Sequence, residues 1–473
     1  MAKPKAVEIR GYNVGFGDCF LLSFDYGKKK KHILIDFGTT AAPAGKTPNA
    51  HMLEVAEAIK KDCDGHLDGV VETHRHADHI SGFTTGTKGK LSGDVIRECV
   101  DGETIIVQPW TEDPDAPKDS KGPKGKGSGA QSRKAFTASL DNMHAVAESV
   151  VKEAARMNAE KIDADTSGVS DDGTEGAEAS ISMPAGRGED VTGSTAGKRL
   201  MSRLAFIGED NVKNLSAVKN LMTMGKAKNH HFVYHGADSG LEDVLPGVKV
   251  HVLGPPTIAQ SNAVLKQRSS DKEEFWMLRH RFWAGQRLAA TGESGTVAAD
   301  TPEPIFPKAK KVTIPRSSRW FVRRLRGVRA KSLLELVTIL DNVMNNTSVI
   351  LLFEVGGKKL LFPGDAQIEN WSYALEKSLP MLEDVDVYKV GHHGSRNATP
   401  KTLFDNFKKR GPEGKRNRMM SLISTKKGKH GSSDSHTEVP RKTLVDALQA
   451  ETNYHSTEKV KAAEMCFVET IEL

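Results

Sequence analysis

The feature that most constrains this sequence is the segment His74–His79, in which four of six side chains are possible metal ligands. It follows a short apolar run, residues 69–71, that is typical of a buried strand. Because side chains alternate along an extended chain, His74 and His76 are expected to point the same way. Asp78 and His79 would lie on the turn beyond, where they can face a second ion. Imidazole nitrogens suit Zn²⁺ and related ions, and a carboxylate adds a harder oxygen ligand, so the segment predicts a metal site.

Three other apolar runs end in residues of the same chemistry. Residues 32–38 carry Asp36 near their end, residues 360–365 end in Asp365, and the run 385–390 leads to His392 and His393. Taken singly, each is also an ordinary exit from a strand into a turn. Their recurrence beside the histidine cluster favours a shared site formed where several strands end.

The remaining local patterns indicate alternating strands and helices. Residues 7–12 and 19–26 are strand candidates that flank a glycine-rich loop. Apolar residues from Met52 to Ile59 form one face of a helix that is expected to end near Asp64-Gly65. Residues 105–107 suggest a further strand. This order of elements predicts an α/β fold.

Length and composition limit the class of protein. The chain of 473 residues allows one large domain with insertions or two to three smaller ones. It contains no run of about eighteen apolar residues and starts without the apolar core of a signal peptide, so no membrane association is expected. The four cysteines have no CxxC spacing and are predicted to be buried thiols in a reducing cytoplasm. These cysteines are Cys19, Cys63, Cys99 and Cys466.

The middle of the chain differs in composition. Residues 117–132 are almost entirely Pro, Lys, Gly, Ser and Asp, and residues 163–197 are again polar, which is typical of linkers. Between them, residues 136–157 carry apolar side chains at helical spacing. That helix would pack in the core or pair with a second helix, either within the chain or across a homodimer. Residues 111–200 are therefore predicted to be an insertion.

A basic segment follows at residues 308–331, with ten Lys and Arg residues, no acidic residue and two interleaved aromatic rings. Cations that meet phosphates, together with rings that stack on bases, are typical of a surface that binds single-stranded nucleic acid. A solvated basic loop, or an arm that contacts an acidic patch of the same protein, would have the same composition. The candidate nucleic-acid-binding residues are Arg316, Arg319, Trp320, Arg323, Arg324 and Arg326.

Seven short segments complete the pattern, and they occur in one order along the chain. They are residues 14–19, 33–38, 74–82, 250–255, 345–349, 362–366 and 389–395. In this combination the chain resembles the metallo-β-lactamase-fold hydrolases, most closely the branch typified by the soluble domain of the ComEC DNA-uptake proteins. The resemblance covers about 110 residues on the N-terminal side and about 200 on the C-terminal side, and the middle takes no part.

The resemblance implies a fold and a division of the chain. The fold would be a four-layer αββα sandwich with a large mid-chain insertion. Residues 1–110 would form its first half and 111–200 the insertion. Residues 201–342 would supply remaining core strands and the basic insertion 308–331, and 343–473 the second half.

It also implies metal ligands. His74 and His76 would hold a first divalent ion, Asp78 and His79 a second, and Asp365 would bridge both. His392 is slightly favoured as the remaining ligand, with His393 facing the scissile phosphate, although the two are adjacent and the reverse stays open.

Other positions take supporting roles by the same resemblance. Asp36 would hydrogen-bond a ligand histidine and fix its orientation. Ser395 would donate a hydrogen bond to a phosphate oxygen. His436, close to Pro440, corresponds to a late histidine of the family, and the nearby His430 competes with it. The family often has one more histidine ligand between the cluster and Asp365, for which no motif matches here; the candidates in that interval are His230, His231 and His235.

The activity that the resemblance implies is metal-dependent hydrolysis. With the basic segment, it predicts a nuclease or phosphodiesterase that cleaves DNA or RNA through a metal-activated hydroxide, with nucleic acid as partner. Two divalent ions, Zn²⁺ or Mn²⁺, are the expected cofactors, and the nitrogen and oxygen ligands also suit iron. The alternatives are a hydrolase of small phosphodiesters and a binding protein with a degenerate site. The complete cluster argues against the latter. The predicted catalytic residues are Asp78, His393, Ser395 and His436.

Overall fold

In a computed structural model of the protein, the residues whose structure is described are 2–115, 215–261, 263, 345–429, 438–461 and 464–473. Several predicted features lie outside these residues: most of the insertion 111–200 with its helix 136–157, the basic segment 308–331 with all six candidate nucleic-acid-binding residues, and both His430 and His436. They remain predictions from sequence. The described residues all belong to one compact unit.

The first sheet combines an antiparallel and a parallel half. Its strand order is β13-β1-β2-β3-β4-β5-β6. Strands β13, β1, β2 and β3 pair in antiparallel fashion, and β4, β5 and β6 continue parallel to β3. The strands are β1 (Ala6–Tyr12), β2 (Cys19–Asp25), β3 (Lys30–Phe37), β4 (Gly69–Val71), β5 (Ile105–Pro109), β6 (His230–Val233) and β13 (Cys466–Glu472).

The second sheet repeats this plan with later residues. Its order is β12-β11-β10-β9-β8-β7. Strands β7, β8 and β9 are antiparallel neighbours, and β10, β11 and β12 continue parallel to β9. The strands are β7 (Lys249–Gly254), β8 (Ile350–Val355), β9 (Lys358–Phe362), β10 (Val387–Lys389), β11 (Met420–Ile423) and β12 (Asn453–Ser456).

The helices between these strands are amphipathic. The first begins with a proline at its first turn, where the missing N–H costs nothing, and buries Met52, Val55 and Ile59. It ends at Asp62, close to the predicted position. The helices are α1 (Pro48–Asp62), α2 (Ala77–Ile80), α3 (Ser92–Glu98), α4 (Leu215–Thr223), α5 (Leu241–Val244), α6 (Ile368–Leu382), α7 (Lys401–Asn406) and α8 (Lys442–Glu451).

The buried apolar side chains divide into three layers. One layer joins the facing surfaces of the two sheets, where the rings of Phe20 and Phe362 meet edge to face with centroids 5.9 Å apart. The second lies between the first sheet and α1, α3 and α4, and the third between the second sheet and α6, α7 and α8. Strands buried on both faces, such as β2 and β8, are apolar along most of their length. The predicted α/β class is confirmed.

Other local predictions can be compared with the same residues. The strands expected at 7–12, 19–26 and 105–107 are present as β1, β2 and β5. None of the four cysteines forms a disulfide, and Cys466 is the one that is partly exposed. Among the described helices, none is both long and apolar enough to cross a membrane.

Candidate metal centre

The predicted ligands lie on loops that follow parallel strands of both sheets. The segment His74–His79 follows β4, Asp365 follows β9, and His392 and His393 follow β10. Since the carboxyl ends of neighbouring parallel strands open at one edge of a sheet, each set of loops gathers at an edge. The backbone N–H of Val349 donates to the carbonyl oxygen of Thr73 at 2.9 Å and ties the two edges together.

Four of these residues form one group. Single ligand atoms of Asp78, His79, Asp365 and His393 all lie within 4.8 Å of one another. His393 Nε2 is 2.9 Å from Asp78 Oδ2, and His79 Nε2 is 3.1 Å from Asp365 Oδ1. Two imidazoles and two carboxylates form a ligand set that suits several divalent first-row ions. These buried His and Asp side chains could hold a metal ion.

The charges in this group favour a cation. Burial alone would raise the pKa of Asp78, but His393 and His79 hold it below its usual range. Likewise, burial would lower the pKa of His79, yet Asp365, Asp36 and Asp18 raise it well above the ordinary value. The pKa of His393 is also raised against the effect of burial, chiefly by Asp365. The carboxylates thus attract positive charge into a largely buried site.

His79 provides a direct test of whether a metal ion fits. Its Nε2 atom is buried and makes no hydrogen bond among the described residues, although Asp365 Oδ1 is only 3.1 Å away. A buried nitrogen that makes no hydrogen bond is costly, and two ligands of one ion lie at about this separation. The side chains present therefore fit a divalent cation.

His74 and His76 lie beside this group rather than in it. Both are buried, and His74 Nε2 is 3.0 Å from His76 Nδ1. The ring of His74 also packs against that of His79, with centroids 4.1 Å apart. Burial, together with His79 and His76, lowers the pKa of His74 well below its usual value, which favours the neutral imidazole that binds metal.

The two adjacent histidines have opposite environments. His393 is fully buried, and its Nδ1 atom donates to the carbonyl oxygen of Ser424 at 2.9 Å, which leaves Nε2 facing Asp78. His392 keeps 28% of its side chain exposed, and its Nε2 lies 3.9 Å from Asp365 Oδ2. The sequence slightly favoured His392 as ligand, whereas His393 belongs to the four-residue group and His392 does not. The geometry therefore favours His393, and which of the two binds the metal stays a prediction.

Ser395 contacts His392 directly. Its hydroxyl lies 2.9 Å from His392 Nδ1 and donates to Asn397 Oδ1 at 3.2 Å. The backbone N–H of His392 donates to Asp365 Oδ1 at 2.9 Å. These bonds fix the more exposed imidazole beside the buried carboxylate.

Asp36 lies next to this group and accepts a hydrogen bond from one of its histidines. One of its oxygens, Oδ2, accepts from the Thr73 hydroxyl at 2.7 Å and from His79 Nδ1 at 2.8 Å, while Oδ1 accepts from the Thr73 backbone N–H. The hydrogen bond to His79 is the kind of contact expected of Asp36, and its role in orienting a metal ligand stays a prediction. Its backbone adopts a positive φ of 54°, which turns the chain where β3 ends. The next glycine, Gly38, lies so close to the Asp78–His79 backbone that an added Cβ would be 2.5 Å from it.

Two buried charges near the site were not singled out from sequence. Asp18, on the loop between β1 and β2, forms an ion pair with Lys389, the last residue of β10. Both were part of the segments that carried the family resemblance, but neither received a role. A lysine within an otherwise apolar strand was the available signal, because such a lysine needs an acidic partner.

Asp18, Asp36 and His79 form a second group with ligand-like spacing. In this group Asp36 accepts from His79 Nδ1, and the carboxylate of Asp18 is already neutralised by its ion pair with Lys389. The group that includes Asp365 and His393 is consequently the better candidate for a metal ion.

Another buried acidic pair adjoins the histidine segment. Glu72 is fully buried and accepts a hydrogen bond from Gln108 Nε2 at 2.5 Å. Burial and the neighbouring Glu112 raise the pKa of Glu72 to about 8. Glu112 in turn lies 3.7 Å from Arg75 Nε.

The additional histidine candidates are elsewhere. His230 Nε2 donates to the carbonyl oxygen of Met224 at 2.7 Å, and His235 Nε2 is 3.2 Å from the hydroxyl of Ser378 on α6. His231 lies beside Gly240. None of the three joins either ligand group found among the described residues.

No protein-family model matches the chain, and a search of curated proteins gives no significant match.

Proposed function

We propose that this chain is a metal-dependent phosphodiesterase of the metallo-β-lactamase type that cleaves nucleic acid. The observation that carries the proposal is the buried group of Asp78, His79, Asp365 and His393, contributed by loops of both sheets. An HxHxDH segment, a Gly-Asp strand end and a histidine pair are the parts by which the sequence resembles that family. The geometry brings these distant parts together around one point.

The layers of the fold agree with this proposal. Two mixed sheets pack face to face, and helices cover their outer faces. This arrangement is what a four-layer αββα sandwich requires. Such a fold hosts several chemistries, so the site and not the fold must decide the reaction.

The roles proposed for these residues follow from how deeply each side chain is buried. Asp78, His79, Asp365 and His393 would hold one divalent ion, and His74 and His76 supply nitrogens for another beside it. A divalent ion, Zn²⁺ or Mn²⁺, would polarise a phosphate ester and make a water molecule nucleophilic near neutral pH. His392, more exposed and oriented by Ser395, would contact the phosphate of the substrate.

Nucleic acid is the proposed substrate because of the basic segment 308–331. Its ten cations would contact several phosphates at once, whereas a small phosphodiester offers a single one. Changing Arg323, Arg324 and Arg326 to Ala together should therefore weaken binding of single-stranded nucleic acid and flatten its dependence on salt. A hydrolase of small phosphodiesters would keep its activity after the same changes.

The deciding experiment is cleavage of labelled single-stranded and double-stranded DNA and RNA with Mn²⁺ or Zn²⁺. Asp78→Ala and Asp365→Ala should each abolish cleavage. Asp386→Asn is a matched control, since this carboxylate also pairs with lysines but lies at the opposite end of β10. Suppose that the metal-loaded protein does not cleave nucleic acid but hydrolyses a cyclic nucleotide or a choline-phosphate ester. The substrate would then be a small phosphodiester and not nucleic acid.

A further inference from the structure

Lys389 is a buried cation next to the proposed metal site. It is the last residue of β10 and is 2% exposed. Its ammonium forms an ion pair with Asp18, donates to the carbonyl oxygen of Gly364 at 3.2 Å and lies 3.8 Å from Asp365 Oδ1. A buried ammonium needs acidic partners, and here two carboxylates lie within its reach.

Asp18 connects this lysine to the other candidate ligands. It is fully buried, and its backbone N–H donates to the carbonyl oxygen of Asp78 at 2.8 Å. Its carboxylate oxygens lie 3.5 Å from His393 Nδ1 and 3.7 Å from His79 Nδ1. The Asp18–Lys389 pair therefore contacts all four members of the proposed metal site.

The two carboxylates compete for one ammonium. Asp18 makes the closer contact, and Asp365 remains at the edge of ion-pair distance. If the charge of Asp18 were removed, Asp365 would be the nearest remaining carboxylate. The ammonium would then neutralise the carboxylate on which the metal site depends.

We propose that Asp18 is a positioning residue that holds the Lys389 ammonium away from Asp365 and so keeps this carboxylate available to a divalent cation. The inference rests on the proposed metal site but not on the identity of the substrate. It gives a role to a buried ion pair, a kind of contact whose desolvation cost can exceed its Coulombic gain.

The test is isothermal titration calorimetry of the full-length protein with Mn²⁺ alone. Asp18→Asn should weaken Mn²⁺ binding at least tenfold, because the freed ammonium competes with the metal for Asp365. Adding Lys389→Met removes the competitor, so the double variant should bind within about threefold of the unchanged protein. Asp386→Asn, the carboxylate at the other end of β10, should bind Mn²⁺ as the unchanged protein does.

Other outcomes would overturn the inference. Unchanged binding by Asp18→Asn would do so, as would a loss that Lys389→Met fails to rescue, since that would mean a merely structural role. If Asp18→Asn does not fold, Lys389→Met alone is decisive: it should bind Mn²⁺ at least as tightly as the unchanged protein, and a tenfold loss refutes the proposal. Absence of Mn²⁺ binding by the unchanged protein also refutes it. Mn²⁺ binding without phosphodiester cleavage would count against the proposed function only.

Discussion

His79 Nε2 and Asp365 Oδ1 lie 3.1 Å apart although one residue follows a strand of the first sheet and the other a strand of the second. A cation that binds both would link the two sheets in the folded protein. The unfolded chain has no such arrangement, so metal binding should be measurable as stability.

A divalent ion should therefore stabilise the fold. At a free concentration about one hundred times its Kd, Mn²⁺ should raise the free energy of unfolding by about 2.7 kcal/mol. Asp365→Asn should remove most of this increase, because it removes a charged ligand that no neighbour replaces. Urea unfolding with Mn²⁺ and with a chelator measures the effect. An equal increase in Asp365→Asn would place the ion elsewhere.

Asp36 should affect metal affinity without touching the metal. Its carboxylate accepts from His79 Nδ1 and from Thr73, which holds the imidazole with Nε2 toward Asp365. Partners of this kind typically change metal affinity by about 10- to 100-fold. We expect Asp36→Asn to weaken Mn²⁺ binding by that factor. Isothermal titration of both proteins gives the ratio, and identical affinities would mean that the orientation of His79 does not depend on Asp36.

Substitutions of His392 and His393 should affect metal binding and catalysis separately. His393→Ala should lose Mn²⁺, since it removes a buried nitrogen of the four-residue group. His392→Ala should keep the metal and lose cleavage, because this more exposed ring lies beside the group. Metal content after dialysis and cleavage rates measure the two properties independently. The opposite pattern would restore His392 as the ligand.

Glu72 should make stability depend on pH. Its pKa is raised from 4.5 to about 8 by burial and by Glu112, so the folded protein keeps a proton that the unfolded chain releases between these values. Stability should thus fall as pH rises through this window, and Glu72→Gln should remove that loss. We expect the variant to gain roughly 2–4 kcal/mol over the unchanged protein at pH 8 relative to pH 5. Urea unfolding at both pH values measures this gain, and parallel pH curves would contradict it.

The parts of the site that could be predicted from sequence are local. His74, His76, Asp78 and His79 are close in sequence and follow an apolar strand, so their type and spacing indicate metal chemistry without knowledge of the fold. Asp365 was found for the same reason. The choice between His392 and His393 could not be made locally, because it depends on the backbone. Both residues have positive φ angles, 44° and 51°, and the resulting turn directs only His393 inward.

Contacts between residues that are far apart in the chain could not be predicted from sequence. Asp18 and Lys389 each look ordinary in their own segments, and only the packing of the two sheets makes them an ion pair. For the same reason, the sequence did not indicate that β6 joins the first sheet while β7, which begins 16 positions after β6 ends, joins the second. These assignments depend on contacts between residues that are far apart in the chain.

The pairing of β1 with β13 has a consequence for synthesis on the ribosome. Ala6 pairs with Glu472 and Tyr12 with Cys466, so one edge of β1 finds its partner among residues made several hundred positions later. Until then, the β1–β2 hairpin presents a row of open backbone donors and acceptors, the kind of edge on which strands of other chains add. A chain that is truncated before residue 466 would leave this edge uncovered. The resulting fragments should aggregate more readily than the longer chain.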